Sequence, residues 1–338
     1  MSFDKTNLED LAKRLLDGDR RALARAITVV ESGGEPAKKL VKLLYKKSGG
    51  SHLIGVTGSP GVGKSTLVDA LVTRIVESGL KVAVLAIDPS SPFTGGAILG
   101  DRIRMQGHTL NPNVYIRSMA NRGHSGGVAM ATYDTVRMLE AFGFDVVIIE
   151  TVGVGQSELA IASAADTTIL VLMPGSGDDI QAIKSGIMEI GDIFVVNKGD
   201  LPGANKSATE IISSLELAKL PTEWRPPVLV AVSESGEGID EVFDAAQKHK
   251  EFLDESNLIN ARRCEKIKVE LSEIVADIAR NKLNDSIENS SNVQDLLADI
   301  VSLKLDPHTA AKSMLSSLNG SNPLNKLKTE KKPSEKAK

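Results

Sequence analysis

The sequence has almost no cysteine, few aromatic residues and no excess of one charge, and each shortage removes a class of protein. A single cysteine, Cys264, in 338 residues rules out an intrachain disulfide framework or thiolate metal cluster and points to a reducing cytoplasm. The histidines are scattered and form no ligand cluster. Aromatic residues at 3% leave few platforms for stacking bases. Lys plus Arg number 40 against 44 for Asp plus Glu, a formal charge of -4, so no basic field is offered to nucleic acid. No apolar run is long enough to span a bilayer, and Met1-Ser2-Phe3-Asp4-Lys5 lacks the apolar segment of a secretory signal. Neither a nucleic-acid nor a membrane partner is expected.

With 41% hydrophobic and 25% charged residues, the chain can bury a large core as one sizeable domain with attachments, or as two domains. Apolar residues recur at helical spacing from Leu8 to Leu44, interrupted by Gly33-Gly34-Glu35-Pro36, which predicts a helical module over residues 1–47. Short apolar runs then alternate with helix-compatible sequence: HLIGVT, KVAVLAID, DVVIIE, TTILVLM, DIFVVNK and PPVLVAVS. Runs of this kind predict βα units stacked into a largely parallel sheet flanked by helices, spanning 48–255. Helical periodicity returns over 256–318 as a C-terminal arm. Residues 319–338, rich in Lys, Glu, Ser and Pro, are expected to be a disordered tail.

Gly58-Ser59-Pro60-Gly61-Val62-Gly63-Lys64-Ser65 follows the first strand candidate and opens a helix candidate, the context that makes this pattern a phosphate-binding P-loop. Glycines let backbone N–H groups turn toward phosphate oxygens, and the helix start adds positive potential. Lys64 would reach the β- and γ-phosphates, Ser65 would give its hydroxyl to magnesium, and Thr66 would close over the α-phosphate. A second pattern, Asn197-Lys198-Gly199-Asp200, ends the DIFVVNK run. A carboxylate at Asp200 can accept both N–H groups on guanine's Watson–Crick edge, which adenine cannot supply, while Lys198 covers the base and Asn197 ties the turn to the P-loop. GTP and GDP are therefore the expected ligands. Ser233-Glu234-Ser235, after VLVAV, could supply a backbone N–H to the guanine O6.

Phosphoryl transfer needs oxygen ligands for magnesium near the γ-phosphate. Asp88 closes KVAVLAID, Glu150 closes DVVIIE, and Asp101 lies in the intervening loop; strand-end acids belong to the edge where open α/β folds bind ligands. Ser65, Asp88 and Glu150 are candidate magnesium ligands, with ordinary surface acids as the alternative reading of the two carboxylates; Asp101 joins the set on the family resemblance given below, and Lys64, Asp88 and Glu150 are the candidate catalytic residues. Gln156 could orient water or be a plain loop amide. His108 and His124 sit in polar loops, as switch residues or simply exposed.

The runs GDRRALARAITVVES, GVTGSPGVGKSTLVDAL, AIDPSSPFTGGAILGDRIRM, ETVGVGQSE, PGSGDDIQAIKSGIMEI and NKGD, in this order, resemble the G-protein chaperones of methylmalonyl-CoA mutase, once labelled arginine/ornithine transport kinases. The resemblance covers nearly the whole chain. It implies a homodimeric GTPase that assists an adenosylcobalamin-dependent acyl-CoA mutase in cofactor loading and in protection or reactivation. It also implies a switch loop over Pro174 to Gly186, with Asp178, Asp179, Gln181 and Lys184 as signalling residues. Glycine at 199 and glutamate at 234 depart from the residues common there. A nickel metallochaperone of the same GTPase class and a kinase of an amino-acid transport system are the alternatives.

Overall fold

The computed structural model describes residues 5–89, 106–108, 110–121, 127–151, 165–175, 190–218, 223–289 and 291–318. Seven strands are found among them: β1 (His52–Thr57), β2 (Val82–Pro89), β3 (Val114–Asn121), β4 (Val146–Thr151), β5 (Thr167–Leu172), β6 (Ile193–Val196) and β7 (Val228–Val230). All pair in parallel, in the order β3-β2-β4-β1-β5-β6-β7. Six strands fall on the six apolar runs. The seventh, β3, is an edge strand pairing only with β2. Its sequence, VYIRSMAN, mixes in Arg117 and Ser118, so it lacks the continuous apolar run that marks a strand buried on both faces.

Those continuous runs arise because successive side chains enter opposite cores. Val82 and Val84 face α4 (Lys64–Glu77), whereas Ala83, Leu85 and Ile87 face α5 (Gly127–Phe142) and the N-terminal helices. Ile169 and Val171 join the first core, together with α7 (Ile239–Glu255), and Leu170 and Leu172 pack on α6 (Ala204–Ala218). The result is a three-layer α/β/α arrangement whose carboxyl strand ends share one edge.

The N-terminal helices belong to this core. On α1 (Lys5–Leu16), Leu8, Leu11, Ala12 and Leu15 are buried at one-face spacing. On α2 (Arg20–Ser32), Leu23, Ile27 and Val30 do the same, with Asp19 capping the helix through the Arg21 and Ala22 amides. All enter the cluster that contains β2, β3, β4 and α5. The interruption is shorter than the Gly33–Pro36 run predicts. Gly33 and Gly34, at φ 68 and 77, turn the chain, and α3 (Gly34–Leu44) takes Pro36 into its first turn, where a missing N–H costs no helical bond.

Met1–Glu270 forms one compact unit and Leu271–Lys338 a second. α8 (Leu258–Asn289) runs through both, and α9 (Ser291–Val301) packs on α10 (Pro307–Leu318) within the second. The tail expected at 319–338 lies outside the described residues. Among the described residues, no helix is long and apolar enough to cross a membrane.

At the amino edge of the sheet, Thr167 Oγ1 lies 2.7 Å from His52 Nε2 and 2.8 Å from His249 Nδ1. Burial pulls both imidazoles down to about 4 from 6.5, so both are neutral at pH 7. Their contribution to stability is full above pH 6.5 and is lost toward pH 4, because only the unfolded chain takes up these protons in that window. Asp134 acts with the opposite sign, since burial raises its carboxyl to about 6. The histidine part is isolated by comparing wild type with His249→Gln in urea unfolding. Between pH 7 and pH 4.5 the variant is expected to lose less stability than wild type, by on the order of 2 kcal/mol. Parallel profiles would contradict a buried neutral His249.

Candidate nucleotide site

After β1 the chain turns through Gly58–Gly63 into α4. A Cβ at Gly58 would stand 2.1 Å from the Val171 carbonyl oxygen, and one at Gly63 would stand 2.4 Å from Asn197 Nδ2. Both glycines also have positive φ, 143 and 94. The loop is therefore threaded between the tips of β5 and β6 with no space for side chains at these two points. No side chain caps the start of α4, so its first amides give the loop a positive end suited to an anion.

Lys64 is buried at 6% exposure, and its ammonium donates to the carbonyls of Gly58 (2.7 Å) and Ser59 (3.0 Å). Ser65 Oγ donates to Glu150 Oε1 at 2.5 Å. Glu150 stands near the end of β4 at 3% exposure. Residues 85 positions apart thus meet as a pair of hard oxygen donors beside the phosphate loop. Thr57 and Thr151, also buried, bring their hydroxyls to 3.4 Å of each other at the ends of β1 and β4. Asp88 is the penultimate residue of β2, in register with Ala120 of β3; its side chain lies outside the described set. Asp101, His124, Gln156, Asp178, Asp179, Gln181 and Lys184 lie outside the described residues. His108 rests on α4, 3.3 Å from Asp69 Oδ1 and 3.4 Å from Thr73 Oγ1.

The base-side turn is joined to the phosphate loop through one buried amide. Asn197 Nδ2 donates to the Val62 carbonyl at 2.9 Å, and Asn197 Oδ1 accepts from the Ser233 amide (3.2 Å) and hydroxyl (2.7 Å). Lys198, at φ 56, donates to the Gly61 carbonyl at 2.9 Å and approaches Met173 Sδ at 4.0 Å. Its stem consequently lies along the mouth of the loop. Asp200 is exposed and, with Gly199, Val230, Ala231, Val232, Glu234, Ser235 and Glu237, lines a cavity of about 630 Å³.

In the 233–236 turn the Ser233 amide serves Asn197, and those of Ser235 and Gly236 serve the Val232 carbonyl at 3.1 and 3.0 Å. Glu234 lines the cavity, and among the described residues its amide makes no hydrogen bond within this turn. Ser233 is therefore a strut for Asn197, a role its position in the sequence does not disclose. Val171 and Met173 also shape the site without carrying any recognisable motif.

Gly199 has its own reason. A Cβ there would meet Val230 Cγ1 at 2.6 Å and the Ala231 oxygen at 3.2 Å, so the turn is fitted to glycine by the branched residue beside it. Gly199→Ala is expected to weaken GDP binding roughly 10-fold, a packing strain of 1–2 kcal/mol. Calorimetry would show Val230→Ala restoring most of the loss; unchanged GDP affinity in Gly199→Ala would contradict the fit.

The family model described as methylmalonyl-CoA mutase-associated GTPase MeaB matches residues 23–288. A Pyrococcus horikoshii protein named as a GTPase is 46% identical over 316 residues, covering 93% of this chain and 99% of its own. The methylmalonic aciduria type A homolog, mitochondrial, of Caenorhabditis elegans is 38% identical over 340 residues, covering 95% of this chain and 85% of its own. Among solved structures, an LAO/AO transport system kinase superposes with a TM-score of 0.70 at 28% identity, covering 94% of this chain and 100% of that one. The match reaches from α2 to the end of α8 and includes every loop just described, and from it the chain is a P-loop GTPase of the methylmalonyl-CoA mutase-associated GTPase family.

Proposed function

We propose that this GTPase serves an adenosylcobalamin-dependent acyl-CoA mutase as a nucleotide-timed chaperone. GTP binding sets the form that engages the mutase and gates its cofactor loading, and hydrolysis ends the engagement, which ties protection and reactivation to the nucleotide. The observation that carries this reading is the family match, extended by 38% identity across 95% of the chain to a relative named for methylmalonic aciduria. The work is assigned to the cytoplasm, in keeping with the single exposed cysteine.

The residues divide the chemistry as follows. Lys64 exchanges its carbonyl partners for β- and γ-phosphate oxygens, while the α4 amides and Thr66 hold the remaining phosphates. Ser65 and Glu150, hydrogen-bonded at 2.5 Å, offer the hard oxygen donors that magnesium requires, with Asp88 and Asp101 completing the set. The ion's contribution there is to neutralise charge on the phosphate oxygens. Asp200 accepts the guanine N–H groups, the Glu234 amide donates to O6, and Lys198 covers the base. The segment from Pro174 to Gly186, with Asp178, Asp179, Gln181 and Lys184, answers to the mutase.

A homodimer is part of the proposal. On α8, Leu271, Val275 and Ile278 are 57%, 57% and 45% exposed and recur at one-face spacing, which suits a second apolar helix surface.

Four measurements test the proposal. Co-purification with an adenosylcobalamin-dependent mutase, followed by GTPase assays with and without it, is expected to give a complex and an altered hydrolysis rate. No complex and no rate change would overturn the chaperone reading. Lys64→Ala should lower kcat/KM for GTP by roughly a hundredfold or more, and Asp200→Asn should exchange guanine for xanthine preference by replacing an acceptor with a donor. Full GTP affinity in Asp200→Asn would refute the base assignment. Light scattering should find wild type as a dimer and Leu271→Asp as a monomer; a monomeric wild type would remove the dimer.

A further inference from the structure

The amino edge of the sheet, opposite the nucleotide site, carries a concentration of buried polar groups that GTP chemistry does not use. His52, Asp166, Thr167, Asp192 and His249 are each 7% exposed or less. Burying them is costly unless each is paired. Their pairing follows a plan: each carboxylate stands just before one strand and bonds the backbone of the next. Asp166 precedes β5 and accepts the Leu53 amide of β1 at 3.1 Å; Asp192 precedes β6 and accepts the Thr168 amide of β5 at 2.9 Å. Strands β1, β5 and β6 are thereby stitched together at their starts.

The root of α8 closes this edge. Arg262 makes a two-pronged bond to Asp192, at 2.7 and 3.0 Å, and a third bond to the Asp166 carbonyl at 2.9 Å. Lys266 Nζ lies 2.6 Å from Asp166 Oδ1, and Arg263 bonds the Gly49 carbonyl at 2.8 Å, just before β1. Burial opposes charge on both members of the Lys266–Asp166 pair. It holds Lys266 below its ordinary value. At Asp166 the nearby Lys266, Arg263 and Leu53 N–H outweigh burial and hold the carboxyl below its own.

A chain of polar contacts runs across the same three strands. Asp192 Oδ1 approaches His249 Nε2 at 3.3 Å without hydrogen-bond geometry. The Thr167 hydroxyl bridges the two rings, 2.8 Å from His249 Nδ1 and 2.7 Å from His52 Nε2.

These strands are the ones whose other ends build the site. β1 leads into the phosphate loop, β5 presents Val171 and Met173 against Gly58 and Lys198, and β6 leads into Asn197. Fit at that edge is tight, since a Cβ at Gly63 would already stand 2.4 Å from Asn197 Nδ2. A shift of β6 against β1 by a few tenths of an ångström would loosen the Asn197 bond to Val62.

We infer that Arg262 and Lys266 are positioning residues for the nucleotide site, holding β1, β5 and β6 in one alignment at their starts and so setting the spacing of the phosphate and base loops at their ends. The inference rests on the nucleotide site alone and stands whatever protein the GTPase serves. Because coupling is reciprocal, nucleotide binding must also be felt at the α8 root. A native reporter sits there: Trp224, the one tryptophan of the chain, donates to the Asp192 carbonyl at 2.8 Å and packs its ring, tilted, 4.7 Å from that of His249.

The test uses the full chain. GDP and a non-hydrolysable GTP analogue are titrated calorimetrically into wild type, Arg262→Gln and Arg262→Lys, and Trp224 emission is recorded with and without each nucleotide. Arg262→Gln is expected to weaken GDP binding roughly 5- to 20-fold, with Arg262→Lys recovering part of the loss. Wild-type emission is expected to shift on nucleotide saturation, and that of Arg262→Gln to stay still. A folded Arg262→Gln with wild-type GDP affinity overturns the proposal. Wild-type emission that is the same in free and nucleotide-bound protein overturns it too, and that reading does not depend on whether the variant folds.

Discussion

The side-chain amide of Asn197 is the interaction on which the rest of the site depends. Its nitrogen holds the Val62 carbonyl of the phosphate loop, and its oxygen takes both donors of Ser233. Each bond contributes about 1 kcal/mol net, but a buried amide left without partners costs more than the bonds yield. The Gly58–Gly63 loop and the turn at Asn197 therefore hold or fail as one arrangement. Gly63 is glycine because Asn197 occupies the space above it, and Lys198 adopts φ 56 while its ammonium reaches Gly61.

What supports Asn197 is the sheet. A parallel sheet with both faces covered places the ends of β1, β4, β5, β6 and β7 on one edge, and successive residues of each inner strand anchor in opposite cores. Residues far apart in sequence, such as Ser65 and Glu150, are brought to 2.5 Å by strand order. The same order aligns the buried polar groups of the amino edge with the loops they are inferred to position. One set of rigid strands thus links the α8 root to the nucleotide site.

Much of this was legible in the sequence where function is carried by contiguous residues. The phosphate loop, the Asn197–Asp200 turn and the six inner runs are each local signals, and Glu150 stood out as an acid closing an apolar run. Three features were not legible for physical reasons. β3 is an edge strand with Arg117 and Ser118 in it, so it carries no continuous apolar signature. Helical periodicity identified α1 to α3 but could not say that their apolar faces would join β2, β3 and β4 in one core. The amino-edge network joins His52, Asp166, Asp192, Arg262 and Lys266 across separations of 70 to 115 residues. In one dimension such charges look like ordinary surface groups. Within the Ser233-Glu234-Ser235 run, expected to offer one backbone N–H to guanine, the amide and hydroxyl of Ser233 bond Asn197.

Removing the Asn197 amide tests the central claim most directly. In Asn197→Ala, with circular dichroism showing the fold retained, calorimetric titration with GDP should find affinity reduced roughly a hundredfold or more, since the loss spans the Val62 and Ser233 bonds together. GDP binding within about twofold of wild type would mean that the phosphate and base loops hold their spacing without Asn197, and would contradict the account.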